Sequence, residues 1–513
     1  MAAKWKNAAV IDIGSNSVKM KISQIKKGEI QTLDLLDCPV SLGHEVFHSG
    51  KISFETQKEL SSILDGFTQV MTEYGVKQHK AVATSALREA DNSAHVVDLI
   101  KIQNNISVEV LEDDQEKTLI YSQIFSLLSS AKIRPENALI AFIGTGSIGF
   151  AIYAEGKVRF SQNVSLGSLK LNDILGGVAE RSPDFYIMVE EYLDSVFARV
   201  KKSFPDRPLK QLIVAGSDVE RIASLLQTPP EDGIYFFSRE AVDALYLDLR
   251  AQPPQKLSFD LNISEEEAEA LYGSLAILSK LIRDLQVLQI VSPKVDLWDT
   301  ILRNMLVPND KAAYEENLAQ NALACAQEIA LHYSSDPDHI AYVRHAANEL
   351  FDKMKKKHGL SPRKQLLLEL SVILHECGHF LNSKEYLSST YDLIRNTHIY
   401  GLSTEEMELV ALTAKYNELD YPDATDFEFC SLSQKNQLVV SKLVAIFRLA
   451  NAMDISRLQK FYNLRIRLEE DTLTVFCENN RDVQLEEWAF QSCQPYFEEV
   501  FGIQPVLTHR VKL

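Results

Sequence analysis

Two short turns rich in glycine and serine carry the residues best suited to binding phosphate. They are Gly14, Ser15, Asn16 and Ser17, and Gly144, Thr145, Gly146 and Ser147. Small residues leave backbone N–H groups open, and several such groups together form a cradle for an anion. Each turn follows one apolar run and leads into another, which is typical of a strand–turn–strand unit. The matching pair predicts a duplicated α/β domain that holds phosphate between its halves.

Other classes of phosphate loop fit these turns poorly. Neither turn is followed by the Gly-Lys-Ser/Thr of a P-loop. Neither opens a helix directly, which argues against a dinucleotide site of the Rossmann type. An ordinary β-hairpin remains the alternative for either turn taken singly.

Charged side chains at three other places add possible chemistry. Asp12 ends the first strand beside the first turn, where a carboxylate suits either a metal–water cluster or a turn cap. Arg88 has the fork geometry that binds two phosphate oxygens, although a surface pair with Glu89 or Asp91 is the alternative. Four acids within residues 112–116 precede a predicted helix, whose first turn favours acids in any case. One of them is a candidate for activating water.

Composition narrows the class of protein. The chain has 513 residues, which predicts three or four domains, and its 46% hydrophobic and 24% charged residues are typical of a soluble globular protein. A net charge of −18 argues against a general binder of nucleic acid or of anionic membranes. Six scattered cysteines without a CxxC pair indicate free thiols in a reducing cytosol, and no apolar run is long enough to span a bilayer. We therefore expect a cytoplasmic protein.

The strand and helix patterns predict an α/β fold class with four domains. Residues 1–124 and 125–302 alternate strands and helices, which favours one α/β domain in each range. Residues 303–460 show apolar residues at helical spacing only and predict an all-α domain. Residues 461–513 return to strand alternation and predict a small α/β domain.

Taken together, the motifs resemble the exopolyphosphatase / guanosine pentaphosphate phosphatase (Ppx/GppA) family. The residues that carry the resemblance are 11–17 (IDIGSNS), 83–90 (ATSALREA), the acidic junction 112–116, the second turn, and 165–171 (SLGSLKL). The resemblance implies two actin-like (ribonuclease H-like) domains, followed by an all-α HD-like domain and a small C-terminal α/β domain.

The resemblance also implies an activity and residue roles. The activity is hydrolysis of a phosphoric anhydride, which releases terminal phosphate from inorganic polyphosphate or the 5′-phosphate from guanosine pentaphosphate. Alignment on Leu119 makes Glu116 the catalytic base, with Asp113 and Asp114 in reserve. The two turns and Arg88 would bind the phosphates of polyphosphate or of guanosine penta- or tetraphosphate. Mg²⁺ would bind near Asp12 and Glu116, and the protein would be a homodimer.

Two departures from the family pattern affect the expected metal site. The family has Asp and Glu, taken to help hold a divalent metal, where this chain has Phe142 and Gly149. Its third Gly-rich turn is also altered here, to Gly216, Ser217 and Asp218, and Asp218 is a possible substitute carboxylate. These losses support a second hypothesis, in which an impaired family member binds polyphosphate or an alarmone as a regulatory protein.

The HD-like domain carries an incomplete set of metal ligands. The candidates are His339, His375 with Glu376, and Asn451 or Asp454. We expect no tightly bound metal there, because too few ligands remain.

Two other features of this domain have alternative interpretations. Residues 375–379 (HECGH) fit the H-E-x-x-H string of zinc proteases, although Gly378 inside the helix weakens that interpretation. A basic run at residues 353–358 is either a solvated helix end or one wall of a polyanion channel.

Overall fold

We analysed a computed structural model of the chain. It describes residues 7–26, 29–179, 185–204, 208–250, 252–287, 289–382, 384–418, 421–423, 425–479 and 481–511. The chain forms two compact units, Met1–Leu318 and Ala319–Leu513. No helix in the described ranges is long and apolar enough to cross a membrane.

The first half of the first unit is built on a five-stranded sheet of order β3-β2-β1-β4-β5. Its strands are β1 (Asn7–Ile13), β2 (Ser17–Lys26), β3 (Glu29–Pro39), β4 (Gln78–Ala83) and β5 (Val108–Val110). Its helices are α1 (Leu42–Ser49), α2 (Phe54–Glu73), α3 (Ser85–Glu89), α4 (Ser93–Asn104) and α5 (Asp113–Ser130). Helix α5 begins with a capping box in which Glu112 and Gln115 exchange side-chain and backbone hydrogen bonds, so the acidic junction starts this helix.

The second half of the first unit is built on a six-stranded sheet of order β10-β11-β9-β6-β7-β8. Its strands are β6 (Ala138–Ile143), β7 (Ile148–Ala154), β8 (Lys157–Val164), β9 (Gln211–Gly216), β10 (Ile234–Phe237) and β11 (Gln289–Pro293). Its helices are α6 (Ser168–Ala179), α7 (Phe185–Lys202), α8 (Val219–Leu225), α9 (Arg239–Leu249), α10 (Pro254–Leu261), α11 (Glu265–Leu285) and α12 (Leu297–Leu306).

The two sheets repeat one topology. In the first, β1 pairs antiparallel with β2 and parallel with β4. In the second, β6 pairs antiparallel with β7 and parallel with β9. Each sheet packs its own separate cluster of buried aliphatic and aromatic side chains, so each half has its own core. The first unit is therefore a duplicated α/β structure whose two turns are the β1–β2 and β6–β7 connections.

The second unit begins as a bundle of helices. The chain from Pro308 to Ala452 forms α13 (Pro308–His332), α14 (Pro337–Lys353), α15 (Lys355–His358), α16 (Pro362–Leu374), α17 (Tyr386–Arg395), α18 (Thr404–Lys415), α19 (Phe427–Cys430) and α20 (Gln434–Ala452). A short 3₁₀ helix, Cys377–Phe380, follows α16. The division between the two units falls within α13.

A three-stranded sheet of order β12-β13-β14 ends the chain. Its elements are β12 (Phe461–Glu469), β13 (Thr472–Asn479), α21 (Gln484–Phe501) and β14 (Gln504–Val511). Strand β14 pairs parallel with β13, and the connecting helix α21 makes that crossover possible.

Candidate phosphate site and histidine cluster

The two turns have the same backbone geometry. The N–H of Gly14 donates to the carbonyl of Ser17 at 3.0 Å, and the N–H of Gly144 donates to the carbonyl of Ser147 at the same distance. Strand pairing stops at Ile13 in the first turn and at Ile143 in the second. The N–H groups of the residues at each turn's centre therefore lie outside the sheet ladder and suit anion binding.

After each turn, N–H groups at the start of a helix donate hydrogen bonds to a carbonyl group of that turn. The N–H of Gly43, at the start of α1, donates to the carbonyl of Ser15 at 2.7 Å. The N–H groups of Leu169 and Lys170, at the start of α6, both donate to the carbonyl of Thr145 at 3.1 Å. One carbonyl near the centre of each turn, that of Ser15 and that of Thr145, is thus occupied by a helix N-terminus.

Ser85 lies between the two turns and brings them together. Its hydroxyl is 3.0 Å from the hydroxyl of Ser15, and both residues are buried. A side chain added at Gly146 would meet the Cβ of Ser85 at 2.7 Å. The first turn and the second turn therefore face each other across the N-terminus of α3.

Arg88, on the same short helix, contacts the acidic start of α5. Its guanidinium donates to Glu116 Oε2 at 3.2 Å, to Asp113 Oδ1 at 3.0 Å and to the carbonyl of Leu111 at 2.9 Å. Both predicted functional residues, Arg88 and Glu116, thus lie in one cluster. The surface pair with Glu89 does not form, because Glu89 binds Lys170 at 2.5 Å.

Asp113 is a poor candidate for the reserve base. Its Oδ1 accepts from the Ser147 hydroxyl at 2.7 Å and from the Lys117 ammonium at 3.0 Å, besides Arg88. Burial acts to raise the pKa of Asp113, but Lys117, the Ser147 hydroxyl and Arg88 outweigh it and hold that pKa below its usual value. A carboxylate stabilised in this way accepts a proton less readily than an ordinary one.

The other two carboxylates considered from sequence are engaged elsewhere. Asp114 Oδ1 accepts from the amide of Asn163 on β8 at 2.6 Å. Asp218 is buried and accepts from the Ser274 hydroxyl at 2.7 Å, with Arg221 at 3.4 Å. Asp218 thus serves the packing of α8 against α11, and nothing in the described contacts joins it to Glu116.

Lys117 is the residue in this cluster that sequence reasoning missed. Its side chain is only 3% exposed, and its ammonium lies 2.8 Å from the Ser147 hydroxyl and 3.6 Å from Glu116 Oε2. It also lies 5.1 Å from the centre of the Phe142 ring, within cation–π range. No local sequence signal marks it, because a lysine four residues after an aspartate on a helix is an ordinary i,i+4 partner.

Phe142 and Gly149 face this lysine. They are directly opposite each other on β6 and β7, so both point to the same side of the sheet. A Cβ at position 149 would lie 2.5 Å from the Tyr121 hydroxyl and 2.7 Å from Lys117 Cγ. The side where the family pattern places two carboxylates therefore holds an aromatic ring, a vacant Cβ position and an ammonium group.

Asp12 lies at the end of β1 and is bound by helix α12, which packs against β1 and α5. Its Oδ2 accepts from the Trp298 indole N–H of α12 at 3.1 Å, while its Oδ1 is buried and has no hydrogen-bond partner among the described residues. Burial, together with the nearby Glu116 carboxylate, raises the pKa of Asp12 to about 6, and the indole hydrogen bond limits that rise. Trp298 is a second residue that the sequence did not reveal.

The expected Mg²⁺ site at Asp12 and Glu116 fits these residues poorly. The unpartnered Asp12 Oδ1 suits a hard cation, but both cations that contact Glu116, Arg88 and Lys117, are bound to its Oε2. Among the described residues, just one group of three or more His, Cys, Asp or Glu side chains converges closely enough to hold a metal, and it lies in the second unit. Mg²⁺ at Asp12 and Glu116 stays a prediction that this geometry does not favour.

That group in the second unit is His339, His375 and Glu376. Their potential ligand atoms all lie within 4.8 Å of one another, and all three residues are buried. Asp454, also completely buried, binds His339 Nδ1 at 2.9 Å. The structure therefore brings together four of the five predicted candidates, and three of them lie close enough for a three-ligand site. The expectation that no metal binds tightly there stays a prediction that this geometry does not favour. For Asn451, the described contacts show only a buried amide oxygen without a hydrogen-bond partner.

Hydrogen bonds set both imidazoles for metal binding. Asp454 binds His339 at Nδ1, and the carbonyl of Val372 binds His375 at Nδ1 at 2.7 Å, so the Nε2 lone pairs are the ones left for a ligand. Nε2 of His339 is buried without a hydrogen-bond partner in the described structure. Burial lowers the pKa of His375 to about 4, which keeps the ring neutral as a ligand must be. A basic side chain, Arg457, forms an ion pair with Glu376.

The zinc-protease interpretation of residues 375–379 is wrong. Helix α16 ends at Leu374, and Cys377–Phe380 is a 3₁₀ helix, so the two histidines do not share one α-helical face. His379 is exposed and stacks on the Tyr386 ring at 3.7 Å.

The basic run has local partners within the second unit. Lys355 pairs with Asp352 at 2.8 Å, and Lys357 donates to the carbonyl of Glu470 at 3.0 Å. His358 is buried and its Nε2 bonds the carbonyl of Phe351 at 2.9 Å. These contacts favour a structural role for the end of this helix.

A duplicated α/β unit that opposes two glycine–serine turns, with an arginine and a glutamate beside them, defines a phosphate-handling protein of the actin-like class. The Ppx/GppA phosphatase family model matches residues 21–302, and the model for domain III of Ppx/GppA phosphatases matches residues 323–499. The chain belongs to the Ppx/GppA phosphatase family. The predicted family and the general prediction of a phosphohydrolase are thereby confirmed.

Individual relatives are distant. The chain is 22% identical over 451 residues to a guanosine-5′-triphosphate,3′-diphosphate pyrophosphatase of Photobacterium profundum, covering 86% of this chain and 84% of that protein. It resembles an exopolyphosphatase of Cytophaga hutchinsonii with a TM-score of 0.53 and 22% identity, covering 59% of this chain and 98% of the other. It resembles a Ppx/GppA family member of Aquifex aeolicus with a TM-score of 0.50 and 20% identity, covering 60% and 99%. At these identities the structural likeness shows the fold.

Proposed function

We propose that the chain hydrolyses a terminal phosphoric anhydride bond of inorganic polyphosphate or removes the 5′-phosphate of guanosine pentaphosphate. The observation that carries the proposal is the position of Glu116. Its Oε2 lies 3.2 Å from Arg88 and 3.6 Å from Lys117, and the Lys117 ammonium in turn lies 2.8 Å from the Ser147 hydroxyl of the second turn. The names of the relatives, an exopolyphosphatase and a guanosine-5′-triphosphate,3′-diphosphate pyrophosphatase, support both substrate classes.

Substrate binding uses the N–H groups at the centre of the two turns. These groups are free of the sheet ladder, and their turns face each other at Ser85, so two phosphates of one chain would fit against them. Arg88 supplies a guanidinium fork that neutralises developing charge on the phosphate oxygens.

Bond cleavage uses Glu116 as the general base. Its Oε2 accepts from Arg88, so Oε1 is the oxygen that we assign to the attacking water. The water oxygen bonds to the terminal phosphorus while its proton passes to Glu116, and the anhydride P–O bond breaks with its electron pair going to the shortened chain. The side chain of Glu116 is 12% exposed, which leaves it accessible to a water molecule.

The test is phosphate release from long-chain polyphosphate and from guanosine pentaphosphate, each with and without Mg²⁺. We expect Glu116→Gln to lower the rate by about 10²–10⁴-fold, the usual contribution of a general base. Glu136→Gln is the matched control, because Glu136 is an exposed glutamate paired with Lys210 in the same unit. An unchanged rate in Glu116→Gln would remove Glu116 from the mechanism. Binding of either compound by the wild type without any release would instead favour the regulatory binding protein.

We propose further that the helical part of the second unit is an HD-like domain and that β12, β13, α21 and β14 form a small C-terminal α/β domain. The support is the convergence of His339 on α14, of His375 and Glu376 directly after α16, and of Asp454 shortly after α20. A homodimer is proposed on the family resemblance. A cytoplasmic location is proposed because none of the six cysteines forms a disulfide. Light scattering of the purified protein would test the oligomeric state.

A further inference from the structure

The cluster beside the second turn contains a cation that belongs to the chain itself. The Lys117 ammonium lies 3.0 Å from Asp113 Oδ1, 2.8 Å from the Ser147 hydroxyl and 3.6 Å from Glu116 Oε2. Two carboxylates and a hydroxyl around one positive centre are the surroundings that a protein would otherwise offer to a divalent cation bridging to phosphate.

The neighbouring strands are shaped to hold this lysine. Gly149 has no side chain, and a Cβ there would collide with Lys117 Cγ at 2.7 Å, so the glycine leaves room for the lysine chain to cross β7. Opposite it, the Phe142 ring lies 5.1 Å from the ammonium and contributes a cation–π contact. The two positions that lack the expected carboxylates are thus the two that accommodate Lys117.

Lys117 balances the negative charge of the cluster. Asp113 and Glu116 contribute two negative charges, which Arg88 and Lys117 neutralise. Without Lys117 the cluster would carry a net negative charge and would repel an incoming phosphate. Burying an ammonium group also costs free energy, and a merely structural contact does not require that cost. Asp113 would still have Arg88 and Ser147 as partners if the lysine were absent.

We propose that the Lys117 ammonium takes the place of the divalent cation beside the second turn, so that this site binds an oligophosphate without Mg²⁺. The inference rests on the proposed function, since it concerns the same phosphate site. Lys117 is a binding residue in this view, and Phe142 and Gly149 are positioning residues that act through it.

The experiment measures the affinity of the full chain for inorganic tripolyphosphate by calorimetry, once with excess Mg²⁺ and once with a chelator. We expect the wild-type Kd to differ less than threefold between the two conditions. We expect Lys117→Met, which keeps chain length and loses the charge, to bind at least about tenfold more weakly in the chelator, the size expected for one charge-assisted contact to phosphate. Mg²⁺ should restore part of that loss, because Asp113 and Glu116 then lack their ammonium partner.

Lys210→Met is the matched control, because Lys210 is an exposed lysine of the same unit that pairs with Glu136 at 3.1 Å. It should bind like the wild type. Thermal unfolding of each variant shows whether it is folded, and if Lys117→Met is not, the wild-type comparison of Mg²⁺ with chelator still decides.

The outcomes separate this inference from the proposed function. Wild-type binding that appears only with Mg²⁺, or Lys117→Met binding as tightly as the wild type in chelator, would overturn the role of Lys117 and leave the proposed function standing. Failure of the wild type to bind tripolyphosphate in either condition would also overturn this inference, whereas the proposed function would still be decided by phosphate release from long-chain polyphosphate and guanosine pentaphosphate.

Discussion

The phosphate site of the first unit and the histidine cluster of the second both depart from the residue patterns expected for metal binding, yet they differ in what replaces the missing ligands. In the first, a buried ammonium, Lys117, lies among the acids Asp113 and Glu116. In the second, the imidazoles of His339 and His375 lie beside Glu376, and the potential ligand atoms of the three residues are all within 4.8 Å of one another.

In the phosphate site the departure from the family pattern removes negatively charged ligands, whereas in the histidine cluster it changes only the length of one acidic side chain. Phe142 and Gly149 stand where the family pattern has two carboxylates, so two ligands for a hard cation are lost. The positively charged side chain of Lys117 lies beside both positions. Having Glu376 in place of the aspartate of a His-Asp pair keeps a carboxylate and changes only its reach. Counting ligand residues along a sequence therefore does not show what surrounds those residues at either site.

The largest effect that this comparison predicts is on metal content. We expect the second unit to take up about one equivalent of Zn²⁺ per chain, because three protein ligands and a water complete a four-coordinate site. Elemental analysis after dialysis should find the metal in the wild type and lose it in His375→Ala. His379→Ala is the control, since His379 is exposed and stacks on Tyr386. A wild type without bound zinc would contradict this prediction and support the expectation from sequence that no metal binds tightly there.

A smaller effect concerns the space that Gly149 leaves for Lys117. We expect Gly149→Ala to lower the free energy of unfolding by ~1–3 kcal/mol, because the new methyl group collides with Lys117 Cγ and with the Tyr121 hydroxyl. Chemical denaturation measures the change, and part of the loss should disappear in a Lys117→Ala background. Gly66→Ala, in the interior of α2 with nothing near its Cβ position, should instead be neutral or stabilising by up to ~1 kcal/mol. Equal effects at both glycines would show that Gly149 makes no room for the lysine.

The same collision bears on the two missing carboxylates. From sequence, restoring Phe142→Asp and Gly149→Glu together is expected to raise metal affinity or activity. In the structure a side chain at position 149 has no room while Lys117 and Tyr121 stay in place. Restoring the two carboxylates would therefore need Lys117→Ala as well. The triple variant is the stricter test of whether the carboxylates raise metal affinity or activity.

Local sequence patterns predicted much of the first unit. The two turns, the strands on either side of them and the acidic start of α5 follow from small residues, apolar alternation and first-turn acids, which are all local signals. The proximity of Arg88 to Glu116 was accessible only through the family resemblance, since 27 positions of intervening chain separate them.

The contacts that decide the chemistry are long-range and carry little local signal. Trp298 binds Asp12 across 286 positions of the chain, and His339 binds Asp454 across 115. Lys117 follows Glu116 directly, but a lysine in an acidic helical turn reads as an ordinary i,i+4 partner of Asp113 until the packing of β7 shows that it is buried. Sequence therefore predicted the scaffold better than the charge balance of the site.

The smallest predicted effect is the pH-dependent change in stability that the buried carboxyl group of Asp12 causes. Burial raises the pKa of Asp12 to about 6 in the folded protein, whereas an unfolded aspartate titrates near 4. The folded state therefore holds the proton more tightly, so this carboxyl destabilises the fold increasingly as the pH rises from about 4 through 6. Two pKa units correspond to at most ~3 kcal/mol, and this value is reduced because Asp12 keeps partial exposure. We therefore expect Asp12→Asn to raise the free energy of unfolding by about 1–2 kcal/mol at pH 8 and by little at pH 4.

Chemical denaturation at the two pH values measures this change in the free energy of unfolding, with Asp65→Asn on α2 as the control. A gain at pH 4 as large as at pH 8 would show that Asp12 is not the titrating group, and a loss at pH 8 would indicate that its charge is held by a partner such as a bound cation.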